Sequence, residues 1–363
     1  MGQRRRKCWR FWEKCKLKNQ EEILKQLKNY DGPPLKIMEV CGTHTAALFR
    51  HGIHSLLSPK IQLISGPGCP VCVTPTQYID RLVEISLTPH HQVWTFGDMM
   101  KVPGEEESLS QAMGRGAQVH MMYSPFQVLE AALANPDITY VLAAVGFETT
   151  TPLYAQLLKE AREKGLKNIR LLTSLKQILP AMEWILSHRN TIDGFLCPGH
   201  VSTIIGWKAY QPLAESYEKP MVVAGFTGTH LLKSIHRILE HRGEGKVFND
   251  YPGVVSEEGN LLAKQRMEEV FQPEEAVWRG LGAIADSGWY LKGPFAEYDM
   301  GSYGLRKDKK LPPGCLCREV IIGDNTPAEC PMFGTECSPN RPYGPCMVSE
   351  EGACGIWYGR ISI

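Results

Sequence analysis

Two cysteines, Cys69 and Cys72, lie in the stretch Gly66-Pro67-Gly68-Cys69-Pro70-Val71-Cys72. A C-x-x-C pair can cycle between dithiol and disulfide or bind a soft metal. Ile61 to Ile64 before it has strand character, and Thr76 to Val83 after it has helical spacing, with Pro75 suited to a first turn. The pair is therefore expected where a strand hands over to a helix N-terminus, a place where free backbone N–H groups and the helix dipole favour thiolate. Structural zinc is the other reading of such a pair, although no second pair at zinc spacing accompanies it.

Other reactive side chains fall at similar junctions. Cys41 and His44 occur in Cys41-Gly42-Thr43-His44-Thr45, Glu148 in Gly146-Phe147-Glu148-Thr149-Thr150-Thr151-Pro152, and Cys197 and His200 flank Pro198-Gly199. Thr43, Thr149 and Thr150 also suit ordinary helix capping, and Cys197 reads as a buried strand-end cysteine. A Pro- and Gly-rich tail carries half of the twelve cysteines: Cys315, Cys317, Cys330, Cys337, Cys346 and Cys354. Such a tail cannot build its own core, and a bound metal is expected to hold it. Cys330, Cys337, Cys346 and Cys354 are spread too widely for tight zinc knuckles, which favours an iron–sulfur cluster, with Cys315 and Cys317 as alternative ligands.

The positioning elements follow a β-α repeat. Strands are expected at Lys36–Val40, Ile61–Ile64, Gln92–Phe96 and Gln118–Met122, and again at Thr139–Val145, Ile169–Thr173, Asp193–Leu196 and Met221–Ala224. Matching strands lie about one hundred residues apart, the length of a compact domain. The expected fold is α/β: two related parallel-sheet domains, 32–137 and 138–255, facing a cleft where the strand ends gather ligands. A basic arm and helix (1–31) precede them. A helical connector (256–310), helical at Leu261–Val270 and Glu274–Ser287, and a cysteine-rich domain (311–363) follow.

The composition, 43% hydrophobic and 22% charged over 363 residues, is that of a globular protein, and a net charge of +1 gives no electrostatic case for a nucleic-acid partner. The arm over residues 1–18 is locally basic (Arg4, Arg5, Arg6, Lys7, Arg10, Lys14, Lys16 and Lys18 against Glu13), carries Cys8 and Cys15, and is read as a solvated terminus without assigned function. No stretch approaches the roughly 18 apolar residues of a membrane span. A cytoplasmic protein without membrane partners is expected.

As an ordered set, the motifs around Cys41, Cys69 to Cys72, Glu148 and His200, together with the spaced tail cysteines, closely resemble the HypD family of nickel-iron hydrogenase maturation proteins, over about Pro34 to Tyr358. The resemblance implies two α/β domains and a C-terminal 4Fe-4S domain. It implies a scaffold that, with the small chaperone HypC, holds iron while cyanide and carbon monoxide ligands are added, HypE delivering the cyanide. Cys41 would hold the iron assisted by His44, Cys69 and Cys72 would be a redox-active pair, and Cys330, Cys337, Cys346 and Cys354 would ligate the cluster. From their place at the matching strand end of the second half, and not from the resemblance, Glu148 and Thr149 are expected to orient water or a thiol. A monomer forming transient complexes is expected by the same analogy. Two other functions fit the residues alone: a cluster-dependent thiol–disulfide oxidoreductase acting on a protein disulfide, and a zinc-stabilised binding module.

Overall fold

The structure is a computed structural model that describes residues 20–188, 191–306, 308 and 313–361. The basic arm with Cys8 and Cys15 lies outside the described residues. Among the described residues the strands are β1 (Leu35–Glu39), β2 (Ile61–Ser65), β3 (His91–Thr95), β4 (Val119–Met121), β5 (Thr139–Gly146), β6 (Ile169–Lys176), β7 (Gly194–Cys197), β8 (Met221–Val223), β9 (Val247–Asn249), β10 (Phe271–Trp278) and β11 (Gly282–Leu291). One sheet has the order β2-β1-β7-β8-β9 and the other β10-β11-β6-β5-β3-β4. All pairings are parallel except β10 with β11 and β11 with β6. The α/β class with two mostly parallel sheets stands as expected.

Alternation along the strands explains how the sheets come together. In β5, Val141, Ala143 and Val145 enter one core while Tyr140, Leu142 and Ala144 enter another. In β1 and β7, Met38, Phe195 and Cys197 enter that first core, whereas Leu35, Ile37 and Leu196 enter a third. Strands buried on both faces read as continuous apolar runs, the pattern of parallel sheets covered by helices. The shared first core joins the two sheets and takes in Cys69, Cys72, Cys317, Cys337, Cys346 and Cys354.

Two expectations need correction. The contiguous halves are not the sheets: β1 and β2 pair into a sheet with β7, β8 and β9, while β3 and β4 join β5 and β6. A β-α repeat gives strand positions but carries nothing about which strand lies beside which. Of the two helical stretches expected in the connector, Leu261–Val270 is a helix, but Glu274–Ser287 belongs to the β10–β11 hairpin, turning where Gly280 and Gly282 have φ of +79° and +89°. Pairing of β10 with β11 across the hairpin overrides the helical bias of Glu274 and Glu275.

Candidate functional site

Cys41 follows β1 and is the residue before the helix Gly42–Arg50, with extended φ and ψ of −153° and 116°. His44 N donates to the Cys41 carbonyl at 2.9 Å, and the backbone N–H groups of His44 and Thr43 favour negative charge on its sulfur. Burial dominates and pushes the thiol up to about 12; those N–H groups work against burial, and the nearby carboxyls of Glu39 and Glu351 add to it. A soft cation arriving at this sulfur would replace the proton and recover the interaction with the helix N-terminus.

Beneath Cys41 sits Glu39, 2% exposed. Its carboxyl accepts hydrogen bonds from Cys41 N at 3.1 Å, from the Thr45 hydroxyl, and from Ser65. Burial raises its pKa to about 8, so the acid is mostly neutral at pH 7. Glu39 was missed in the sequence; its signal is a lone acid inside the apolar strand run Lys36-Ile37-Met38-Glu39-Val40. His44 is buried, with Nε2 donating to the Ala224 carbonyl at 3.1 Å and Nδ1 left without a partner. Burial lowers its pKa to about 4, which leaves a neutral ring with its lone pair on Nδ1.

The loop carrying Cys69 and Cys72 lies directly on Cys41. Gly42 N donates to Gly68 O at 3.3 Å, and a Cβ on Gly68 would stand 2.3 Å from Cys41 N. Only a glycine permits that approach. The two thiols do not sit at the helix N-terminus as expected: the helix is Thr76–Ser86, and Asp308 accepts the hydrogen bonds of Thr76 N and its hydroxyl. Cys72 N donates instead to Cys69 Sγ at 3.2 Å. Burial holds the Cys72 thiol well above its ordinary pKa, so it is a thiol rather than the anticipated thiolate. Val73 to Pro75 separate Cys72 from the helix start.

The tail folds against the same place. Thr43 Oγ1 donates to Glu351 Oε1 at 3.0 Å, and Ser349 Oγ donates to Asp98 Oδ2, beyond β3, at 2.9 Å. The tail thus ties the strand ends of both sheets together. Cys315, Cys317, Cys330, Cys337 and Cys354 surround one pocket, closed by apolar side chains including Met332, Phe333 and Met347. Three of the four expected cluster ligands are in that group. Cys346 is not; it lines a separate cavity with Cys69, Cys72 and Gly66–Gly68, and its thiol hydrogen-bonds with Cys72. Among the described residues no three His, Cys, Asp or Glu side chains are gathered closely enough for a single ion.

Glu148 is placed apart from the thiols. It follows β5, its Oε1 accepts from Ile178 N at 2.9 Å, and its buried Oε2 has no partner. Burial raises its pKa to about 7. The buried Tyr210 phenol feels both Glu148 and Cys41 and bonds to Ser202 Oγ at 2.9 Å. Cys197 is fully buried at the end of β7, as expected.

A family model described as "HypD: Hydrogenase formation hypA family" matches residues 17–360. Hydrogenase maturation factors HypD of Escherichia coli K12 and Azotobacter vinelandii are 41% and 40% identical to the chain, covering 90% and 89% of it and 89% and 88% of their own lengths. The HypD of Rhodobacter capsulatus is 39% identical, over 90% of this chain and 89% of its own. By the reach of that match and the level of these identities, the chain belongs to the HypD family.

Proposed function

We propose that the protein is a hydrogenase maturation scaffold on which iron is held by Cys41 while its cyanide and carbon monoxide ligands are assembled, the iron being cargo rather than a resident cofactor. The observation that carries this is the convergence on Cys41 of a helix N-terminus, the Gly66–Cys72 loop and the tail at Glu351. The sulfur has backbone donors on one side, and His44 supplies a neutral ring fixed by the Ala224 carbonyl. A HypC-type chaperone and a HypE-type cyanide donor are the proposed partners, and the cytoplasm the proposed location; no described helix is long and apolar enough to cross a membrane.

The tail residues fit a 4Fe-4S cluster. Cys330, Cys337 and Cys354 would hold it with a fourth thiol from Cys315 or Cys317, in a pocket whose apolar walls exclude water. Gly344 leaves that site open: a Cβ there would lie 2.3 Å from Cys317 Sγ. Such a group, when bound, supplies one-electron transfer beside the thiols. Cys69 and Cys72, in contact with each other and connected to the tail through Cys346, are the redox pair of this reading. The oxidoreductase alternative needs a sulfur open to a protein disulfide, whereas Cys69 and Cys72 are 4% and 2% exposed.

Iron, sulfide and zinc content with an absorption spectrum on anaerobically purified protein, beside a Cys337→Ala variant, tests the cofactor. Iron and sulfide in equal amount, lost in the variant, are expected. Zinc without sulfide would remove the redox part of the proposal.

A further inference from the structure

Arg279 lies in the turn between β10 and β11, is 4% exposed, and carries the charge that a guanidinium keeps in proteins. Its Nη1 donates to the Pro103 carbonyl at 3.3 Å, and its Nε has no hydrogen-bond partner. Among the described residues no carboxylate forms an ion pair with it. Asp308, the carboxylate at the same turn, holds other donors: Oδ2 accepts from Gly280 N at 3.0 Å and Oδ1 from Thr76 N at 3.1 Å. A charge taken out of water without an opposite charge is costly, so a buried guanidinium of this kind calls for an anion. The packing of the turn shows where that anion would lie. Arg279 N donates to Val73 O at 2.8 Å, and a Cβ on Gly280 would stand 3.3 Å from Cβ and 3.4 Å from Cα of Arg318. The turn therefore rests on the helix Cys317–Ile321, beside the pocket of Cys315, Cys317, Cys330, Cys337 and Cys354. Cys315 feels the guanidinium: hydrogen bonding to Cys317 and burial raise its thiol pKa, and the Arg279 charge works against both.

We propose that Arg279 is the buried counter-charge of the tail cluster, stabilising the thiolate-ligated group and holding its reduction potential up. This rests on the reading of the tail pocket as a 4Fe-4S site. Four thiolates leave such a cluster with a net negative charge, and reduction adds an electron to it. A fixed positive charge nearby therefore favours the reduced form. Burial shields Arg279 from screening by water and salt, in contrast to Arg318, which is exposed on the neighbouring helix. Arg279 touches no reacting atom; it is a positioning residue that acts through the cluster.

The test is a redox titration of anaerobically purified full-length protein, followed by electron paramagnetic resonance, with iron and sulfide analysis. It compares wild type with Arg279→Gln, Arg279→Lys and Arg318→Gln. Arg279→Gln is expected to shift the reduction equilibrium about tenfold toward the oxidised form, a fall of about 59 mV in midpoint potential. Arg279→Lys keeps a charge and should move less than half as far, and Arg318→Gln, screened by solvent, less still. Loss of iron and sulfide in Arg279→Gln with retention in Arg279→Lys would uphold the counter-charge in a stronger form. A wild-type potential in Arg279→Gln would overturn it. Equal falls in potential, or equal loss of the cluster, in Arg279→Gln and Arg279→Lys would also overturn it, by making packing rather than charge the cause. Wild type without iron and sulfide would remove the cluster reading and this inference with it.

Discussion

Cys41 and Cys72 are both buried thiols near the strand ends of one sheet, and burial raises the pKa of each. What surrounds them differs. Around the Cys41 sulfur are the N–H groups of His44 and Thr43, donors that favour negative charge. Cys72 instead meets the Pro345 carbonyl and the thiols of Cys69 and Cys346. Donors suit a sulfur that is to be held as a thiolate by a metal, and neighbouring thiols suit one that is to exchange disulfides. The same degree of burial thus permits two chemistries, and the second contact layer selects between them.

The strongest way to break this contrast is to push the two sulfurs apart. Gly68→Ala places a Cβ against the backbone of Cys41, with no flexible side chain to yield. It is expected to cost about 3 kcal/mol in denaturant unfolding and to abolish iron binding at Cys41. A variant within about 0.5 kcal/mol of wild type would show that the loop does not press on Cys41.

Removing the support beneath Cys41 comes next. Glu39→Ala leaves Cys41 N and the Thr45 hydroxyl without their acceptor and is expected to cost about 2 kcal/mol. Glu39→Gln keeps an acceptor and should cost clearly less. The raised pKa also gives a pH dependence. Folded protein keeps the proton on Glu39 up to about pH 8, whereas the unfolded chain releases it near 4.5. The folded state therefore binds more protons in that window, and stability falls as pH rises through it. Glu148, with a pKa near 7, adds the same sign, while His44, lowered to about 4, opposes both below its ordinary value of 6.5. Above about pH 7 the buried Lys176 amine, lowered by burial to about 7, also opposes them, so Glu39→Gln should shift the slope of unfolding free energy against pH between about 7 and 8 in the positive direction; an unchanged slope would show that Glu39 does not titrate there. The smallest effect is expected of Thr43→Val, which removes the exposed bond to Glu351: about 0.5 kcal/mol, read in the same unfolding experiment.

The strands were legible because their signal is local. All eight expected runs are strands, since buried parallel strands announce themselves as short apolar stretches between glycines and prolines. Their pairing was not, because β1 lies beside β7 across a separation of more than 150 residues that no local pattern records. Glu274–Ser287 misled for a related reason: its two ends pair with each other as the strands of a hairpin, a contact that helical spacing does not record. At the site, residue type singled out Cys41, Cys69 and Cys72, and the structure brings their two loops together. Residue type could not show that Cys346 lines the cavity of Cys69 and Cys72 while Cys330, Cys337 and Cys354 line the neighbouring pocket, because spacing in an irregular tail fixes reach but not direction.

The central claim is that Cys41 holds the iron. The most direct measurement is infrared spectroscopy of the anaerobically purified complex with its HypC-type partner, with iron and sulfide analysis, comparing wild type with Cys41→Ala. Cyanide and carbon monoxide stretching bands are expected in wild type, and Cys41→Ala should lose them and the iron in excess of sulfide while keeping the sulfide. Bands and iron content equal to wild type in Cys41→Ala would place the iron elsewhere and contradict the assignment.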